Sequence, residues 1–278
     1  MPGISIATNA CDDSRNRRGD RQVRMIDMHM HVKGAGVEWS WDHNDRIIEA
    51  ADALGIEQIV VSIPVMRGMP TFDKVRECND AVIGCMRRYE GRILGWCYVT
   101  PGQQQSLGEI DRCLDAGMIG IKLYNQYKIW DPAVHPVLEK AIDEGLPVLE
   151  HAGHATTRRF TDEQPNISDA ADFVRAAQLY PECMLIEAHI GGGGDWEWSI
   201  KALREAPSVY LDTSGSIIDA GMIEMCAREL GAERLLFGTD MTMEGGVGKM
   251  LAADLTQTQK EKICYRNWEQ IVARRRHS

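Results

Sequence analysis

The sequence lacks the features that mark membrane, secreted and disulfide-bonded proteins. Its longest apolar runs, such as Ile56 to Val65, are about ten residues, whereas a membrane-spanning helix needs about twenty. Residues 1–24 are polar, with arginines and aspartates and no apolar stretch, so no secretory signal is indicated. The 8 cysteines include no C-x-x-C pair, which favours reduced thiols buried as small apolar residues. We therefore expect a cytoplasmic protein.

Positively charged residues are also fewer than negatively charged ones. The chain has 31 lysines and arginines against 41 aspartates and glutamates, a formal net charge of −10. The resulting field repels nucleic acids and anionic membranes, so we expect neither as a partner. This balance favours a small-molecule substrate. A homodimer is expected only because such assemblies are common.

The order of the predicted elements favours one α/β barrel. From Val23 onwards, apolar or β-branched runs alternate with segments of helical period. Strands are predicted at Val23–His31, Glu57–Val65, Ile93–Thr100, Gly120–Asn125, Pro147–His151, Met184–His189, Val209–Thr213 and Arg234–Asp240. Helices are predicted at Asp45–Leu54, Phe72–Tyr89, Gln103–Ala116, Pro136–Glu144, Ser168–Leu179, Glu197–Glu205, Asp219–Leu230 and Asp254–Arg274. Such alternation implies parallel strands with right-handed crossovers.

About eight such units in about 250 residues is the size of a closed (β/α)8 TIM barrel. We expect a single catalytic barrel over residues 23–278, preceded by a flexible N-terminal extension over residues 1–22. A doubly wound sheet is the alternative, but it would divide the polar strand ends described below between two edges.

The first predicted strand contains two histidines in an H-x-H pattern. Because side chains alternate along a strand, His29 and His31 point to the same face, which in a closed parallel barrel is the lumen. Two imidazoles at the carboxyl end of a barrel strand are suited to Zn²⁺, which binds nitrogen at about 2.0–2.1 Å. Without a metal, they would be two titratable groups in an apolar strand with no evident partner.

Single polar residues end three other apolar strands. His151 follows Leu149-Glu150, His189 follows Glu187-Ala188, and Asp240 follows Phe237-Gly238-Thr239. The carboxyl ends of parallel barrel strands meet at the barrel mouth, so these side chains and the H-x-H pair should converge on one cavity.

At these residues the chain resembles the amidohydrolase superfamily, and more narrowly its amidohydrolase-related branch. That branch includes metal-dependent hydrolases, lactonases, and the aminocarboxymuconate-semialdehyde and aromatic-acid decarboxylases. The matching stretches are Ile26–His31, Gly120–Tyr124, Gly145–Gly153, Glu187–Gly192 and Leu236–Asp240. The resemblance implies a metalloenzyme in which His29, His31, His151 and Asp240 bind a divalent cation. It also implies that His189 acts on the substrate or completes a second metal site.

This ligand set has a definite chemistry. Three neutral imidazoles and one carboxylate leave a divalent cation with residual positive charge, which lowers the pKa of a bound water from about 15.7 toward about 7. We expect Asp240 to accept the proton of that water, and His189 to stabilise an oxyanion or protonate a leaving group. These two are the predicted catalytic residues. Zn²⁺ is the first choice of metal, and Mn²⁺, Fe²⁺ or Co²⁺ suit the same ligands.

Lys122, on the fourth strand, is open to several interpretations. In binuclear amidohydrolases a strand-four lysine is carboxylated and bridges two metals, whereas the related branch usually works with one metal. We favour one metal and a lysine that faces the substrate, against a lysine whose stem only packs at the barrel end. Three loop residues are further predicted substrate contacts: His154, Arg67 and Trp39.

The sequence favours one activity and leaves two alternatives. The first is a metal-dependent hydrolase that cleaves an amide, ester or lactone of a small, anionic substrate with a metal-bound hydroxide. The second is non-oxidative decarboxylation of an aromatic or muconate-type acid, which would use the same ligands to stabilise an electron-rich intermediate. The third, a barrel without catalytic activity, is disfavoured by the complete ligand set.

Overall fold

The computed structural model describes residues 23–34, 41–154, 156–190 and 195–274. All eight predicted strands are present: β1 Met25–His31, β2 Ile56–Ser62, β3 Ile93–Tyr98, β4 Gly120–Leu123, β5 Pro147–Glu150, β6 Met184–Glu187, β7 Tyr210–Asp212 and β8 Leu235–Leu236. Strands β2 to β8 end earlier than predicted. As a result His151, His189 and Asp240 lie just beyond the strands, where the chain turns at the barrel mouth.

The strands form one parallel sheet in the order β1-β2-β3-β4-β5-β6-β7-β8. The segment after β8 returns to β1 through two backbone hydrogen bonds: Met28 N–H donates to Phe237 O at 2.9 Å, and Asp240 N–H donates to His29 O at 2.8 Å. These bonds bring the two ends of the sheet together. The predicted TIM barrel is confirmed, and the doubly wound alternative is wrong.

Helices surround the strands: α1 Trp41–Ala53, α2 Phe72–Arg88, α3 Ser106–Asp115, α4 His135–Glu144, α5 Arg158–Glu163, α6 Ala170–Leu179, α7 Trp196–Ala202, α8 Met222–Leu230, α9 Met243–Ala252, α10 Gln257–Glu261 and α11 Asn267–Val272. A π-helical turn over Lys262–Arg266 joins the last two. Each described helix is too short or too polar to cross a membrane.

The sequence pattern missed helices α5 and α9. Three glycines within α9, at positions 245, 246 and 248, lower its intrinsic helix propensity. The helix forms because Val247 and Met250 are buried against the barrel, so tertiary packing outweighs local preference. Residues 1–22, the predicted extension, lie outside the described residues.

An apolar plug fills the lower part of the barrel. Trp96 on β3 and Trp268 on α11 are buried with their ring centroids 5.3 Å apart, and Trp96 Nε1 donates to Met28 O at 2.8 Å. Gly120 is required here, because a Cβ at this position would lie 2.4 Å from Trp96 Cζ3. The plug closes this end of the lumen and leaves the carboxyl ends of the strands for polar side chains.

Candidate metal centre

Strand β1 places His29 and His31 together, as predicted, with ring centroids 5.4 Å apart. Nδ1 of His29 lies 2.7 Å from Asp212 Oδ2, and Nδ1 of His31 lies 3.0 Å from the Ser62 carbonyl oxygen. Because acceptors face both Nδ1 atoms, each Nδ1 carries the proton and each Nε2 keeps a lone pair for a cation. Burial, aided by the charge of Lys122, lowers the pKa of His29 to about 4, so this imidazole is neutral at pH 7.

Asp240 brings a carboxylate to the same two Nε2 atoms. Its Oδ1 lies 2.9 Å from His31 Nε2 and 3.9 Å from His29 Nε2, and ligand atoms of the three residues lie within 4.8 Å of one another. Burial would raise the pKa of Asp240, but its close contact with His31 and the nearby imidazoles of His29 and His189 hold it well below its usual range. Two nitrogen donors and an ionised carboxylate at this spacing fit a divalent transition metal.

The backbone is strained at this end of the barrel. φ is +70° at His189, +47° at Asp240 and +72° at Met241. Residues with a side chain rarely adopt positive φ, and holding one there costs of order 1–3 kcal/mol. The strain falls on both predicted catalytic residues, and strained backbone in folded proteins clusters at functional sites.

His151 and His189 form a contacting pair beside this group. Nδ1 of His151 lies 2.9 Å from Nε2 of His189, and the rings of His189 and His29 have centroids 4.9 Å apart. Nδ1 of His189 lies 2.8 Å from Ser214 Oγ and 3.7 Å from Asp240 Oδ2. The structure therefore gathers His29, His31 and Asp240 into one ligand group. His151 contacts this group through His189, and its role as a metal ligand stays a prediction.

Lys122 lies beneath the ligands. Its side chain is fully buried, with Nζ 3.0 Å from His29 Nε2. Burial lowers its pKa to about 8, against the opposing effects of nearby carboxylates that include Asp240 and Asp212. The amine is thus directed at His29, one of the predicted metal ligands. The interpretation of Lys122 as a simple barrel-end packing residue loses support, because its charged end is buried too.

Comparison with known proteins establishes the family. A family model described as "Amidohydrolase" matches residues 26–271. The chain belongs to the amidohydrolase family. No curated protein matches the chain.

The solved structures that share the fold include three enzymes. The 2,6-dihydroxybenzoate decarboxylase from Rhizobium has a TM-score of 0.70 at 16% identity, over 91% of this chain and 99% of its own. A dihydroxybenzoic acid decarboxylase from Polaromonas sp. JS666, solved with manganese and 2-nitroresorcinol, has a TM-score of 0.68 at 17% identity, over 91% and 97%. The 4-oxalomesaconate hydratase from Rhodopseudomonas palustris has a TM-score of 0.69 at 15% identity, over 90% and 96%. At these identities the likeness shows the barrel alone.

Asp212 organises the buried layer of this amidohydrolase, and the sequence analysis missed it. Besides contacting His29 Nδ1, the carboxylate accepts the backbone N–H groups of His189 at 3.0 Å and Ser214 at 2.8 Å. Burial would raise its pKa, but His29, His189 and Ser214 together hold it below its usual range. Asp212 follows Leu211 at the end of an apolar strand. The pattern that predicted Asp240, an apolar strand followed by a carboxylate, could therefore also have identified Asp212.

A pocket of about 420 Å³ opens over the metal centre. Its polar lining consists of His31, Lys33, His151 and Asp240, and its other walls are Val32, Ile63, Pro64, Met66, Tyr124 and Met241. The Tyr124 ring stacks on His151 with centroids 4.2 Å apart and planes 15° apart. Among the described residues, Asp240 is the one carboxylate in this lining. The pocket of the amidohydrolase thus combines imidazole and carboxylate groups on one side with largely apolar walls.

Three of the four predicted substrate contacts are absent from the lining of this pocket. Lys122 is beneath the ligands, and the exposed Arg67 lines a smaller neighbouring cavity. His154 stacks on Trp198 with centroids 3.9 Å apart, and its Nδ1 lies 3.4 Å from Asp169 Oδ2. Trp39 lies outside the described residues. The roles of these four residues in substrate binding stay predictions.

Proposed function

We propose that this amidohydrolase is a metal-dependent hydrolase that cleaves an amide, ester or lactone of a small, anionic substrate. His29, His31 and Asp240 would hold the divalent cation, with His151 as the predicted fourth ligand. The cation would act as a Lewis acid on the scissile carbonyl and lower the pKa of a water molecule toward neutrality. Zn²⁺ is the first choice, and Mn²⁺, Fe²⁺ and Co²⁺ suit the same donors.

The observation that carries this proposal is the position of Asp240 between two imidazoles at the pocket floor. Its Oδ1 lies 2.9 Å from His31 Nε2, and its Oδ2 lies 3.7 Å from His189 Nδ1. Hydrolysis needs a group that removes a proton from water and a route that returns a proton to the leaving group. Asp240 can accept the first proton, and His189, within reach of the same carboxylate, can supply the second.

The charge at the pocket supports an anionic substrate. Lys33 contributes a cation to the lining, and the buried Lys122 lies under the ligands. Together with a divalent cation, these groups would favour a carboxylate or a developing oxyanion over a neutral group.

The apolar walls favour decarboxylation of an aromatic or muconate-type acid as the second candidate function. Val32, Ile63 and Pro64 on the walls, with Tyr124 stacked on His151, suit a planar ring. Two of the structures with this fold are named as decarboxylases of dihydroxybenzoates. This reaction requires only one proton, delivered to the carbon that loses CO2, and therefore makes less use of the Asp240–His189 pair.

One experiment separates the two. Protein loaded with Zn²⁺ or Mn²⁺ is incubated with carboxylate-bearing lactones, esters and anilides, and in parallel with hydroxybenzoic and muconic acids while CO2 is measured. We expect hydrolysis that a chelator abolishes, and an Asp240→Asn variant with turnover at least about 100-fold lower. Asp254→Asn, a change at an exposed aspartate, is the control and should retain full activity.

CO2 release without hydrolysis would contradict the proposed hydrolase activity and support decarboxylation, the second candidate function. If the protein binds no divalent metal and turns over neither panel, it is a non-catalytic barrel and both candidates fail. Full activity of Asp240→Asn would contradict the role given to Asp240.

A further inference from the structure

Tyr124 follows strand β4 directly, on the face that points into the barrel. Because side chains alternate along a strand, it continues a row begun by Gly120 and Lys122. Gly120 lies against Trp96 in the apolar plug, and Lys122 lies beneath the ligands, with Nζ 3.0 Å from His29 Nε2. Tyr124 occupies the next level of this row and lines the pocket over the metal centre.

The hydroxyl oxygen of Tyr124 is accessible at this level. No hydrogen bond joins it to a described residue. It is also absent from the described buried polar side-chain atoms that lack a partner, so this oxygen reaches solvent. The ring is held by its stack on His151, with centroids 4.2 Å apart and planes 15° apart. A ligand in the pocket can therefore meet a hydroxyl group whose position is set before binding.

The surroundings of the phenol keep its proton in place and put it near the metal centre. Burial first, and then the charge of Asp240, raise the pKa of Tyr124 above its usual value of about 10. The hydroxyl group is thus a hydrogen-bond donor at neutral pH. The influence of Asp240 shows that the phenol oxygen lies within the field of this carboxylate.

The other polar side chains of the described lining are engaged, charged or acceptors only. His31 contacts polar protein atoms through both ring nitrogens, and so does His151, whose Nε2 lies 3.1 Å from Gln164 Oε1. Lys33 is charged and exposed. Tyr124 therefore carries the one uncharged side-chain donor that the described lining leaves for a ligand.

We propose that Tyr124 binds the substrate by a hydrogen bond from its hydroxyl group to an acceptor oxygen, in the substrate's carboxylate or in its scissile carbonyl. That the ligand is the substrate rests on the proposed function. A molecule with no lone pair at this point would take the water away from the hydroxyl group without replacing its hydrogen bond. Tyr124 thus selects for an oxygen acceptor in a pocket whose other walls are largely apolar.

The variant Tyr124→Phe tests this role, because it removes the hydroxyl group and keeps the ring that stacks on His151. The full chain, as purified with its metal, is titrated with three probes. Benzoate carries a carboxylate, acetophenone carries a carbonyl oxygen, and α-methylstyrene has the shape of acetophenone with a CH2 group in place of that oxygen. The ¹³Cζ signal of Tyr124, identified by its loss in the variant, is followed by NMR.

Tyr127→Phe is the matched control. Tyr127 lies in the same loop after β4 and is also partly buried, but it does not line the pocket. Its hydroxyl oxygen is directed at Gly102, where a Cβ would lie 3.2 Å away. The control variant should bind all three probes as the unchanged protein does.

We expect Tyr124→Phe to bind benzoate about tenfold or more weakly and acetophenone about 2–10-fold more weakly, with its affinity for α-methylstyrene unchanged. In the unchanged protein, benzoate should shift the Tyr124 signal. A loss found for benzoate assigns the hydrogen bond to the carboxylate, and a loss confined to acetophenone assigns it to the carbonyl.

Four results would overturn the proposal. Equal affinities of the unchanged protein and Tyr124→Phe for both oxygen-bearing probes would leave the hydroxyl group without a role in binding. An equal loss for α-methylstyrene would assign the effect to packing, and an equal loss in Tyr127→Phe would assign it to the loop. Failure of both benzoate and acetophenone to bind would remove the acceptor site itself. The titration measures binding only, so it can succeed with a protein that hydrolyses no ester and fail with one that does.

Discussion

Replacing Asp212 by asparagine should disable His29 as a metal ligand without removing any histidine. Oδ1 of Asp212 accepts the backbone N–H groups of His189 and Ser214 and the Ser214 hydroxyl, whereas Oδ2 faces His29 Nδ1 alone. Asparagine has only one side-chain oxygen. Three donors favour this oxygen at the Oδ1 position, whereas only His29 favours it at the Oδ2 position. The oxygen therefore stays at the Oδ1 position and the amino group faces His29. That imidazole must then accept at Nδ1 and carry its proton on Nε2, where the metal would bind.

The expected loss of metal affinity can be estimated from other carboxylates that orient metal-binding histidines. Loss of a carboxylate that orients a metal-binding histidine typically costs 10–100-fold in metal affinity, which corresponds to about 1.4–2.7 kcal/mol. We expect the Zn²⁺ dissociation constant of Asp212→Asn to rise by about this factor. Competition with a chromophoric chelator at pH 7 measures it directly.

Asp27→Asn provides the matched control. Asp27 is also buried and adjacent to His29, but it accepts the backbone N–H groups of His29 and Thr239 and does not touch the ring. Burial raises the pKa of Asp27 to about 8, so near pH 7 the acid is largely neutral and an amide replaces it without a change of charge. Metal affinity should be preserved. Unchanged affinity in Asp212→Asn, or an equal loss in Asp27→Asn, would refute the reasoning from the His29 tautomer.

Two further predictions concern stability. Gly120→Ala should destabilise the barrel by about 1–3 kcal/mol, because the new Cβ would overlap Trp96. Gly108→Ala, in a helix with open space around it, should be neutral or stabilising; equal unfolding midpoints in urea would contradict the requirement at Gly120. The second prediction concerns protein freed of metal by a chelator. The pKa of His29 is about 4 in the folded protein and 6.5 for an ordinary histidine, so between these pH values the unfolded chain binds more protons than the folded protein. Its unfolding free energy should therefore fall on acidification from pH 6.5 to 4, by up to about 3 kcal/mol from His29 alone, and a flat profile would contradict the neutral buried imidazole.

Residues whose position depends on local geometry could be predicted from the sequence. Alternation along β1 was enough to place His29 and His31 on one face, because the direction of successive side chains in a strand is set by the backbone. The alternation of strands and helices predicted the barrel, and an apolar strand ending in Asp240 predicted a carboxylate at its mouth. Helix α9 was missed because its glycines lower the local helix propensity, whereas the helix is stabilised by packing against the rest of the protein.

Contacts across the barrel were decided by the tertiary structure alone. The meeting of Asp240 with His31, the support of His29 by Asp212, and the burial of the Lys122 amine against His29 join strands that are distant along the chain. The link from Gln164 to His151 joins a loop to a strand end in the same way. The sequence determined which chemical groups reach the barrel mouth. The closure and stagger of eight strands decided which atoms touch, because these depend on the packing of the whole core and not on any single segment.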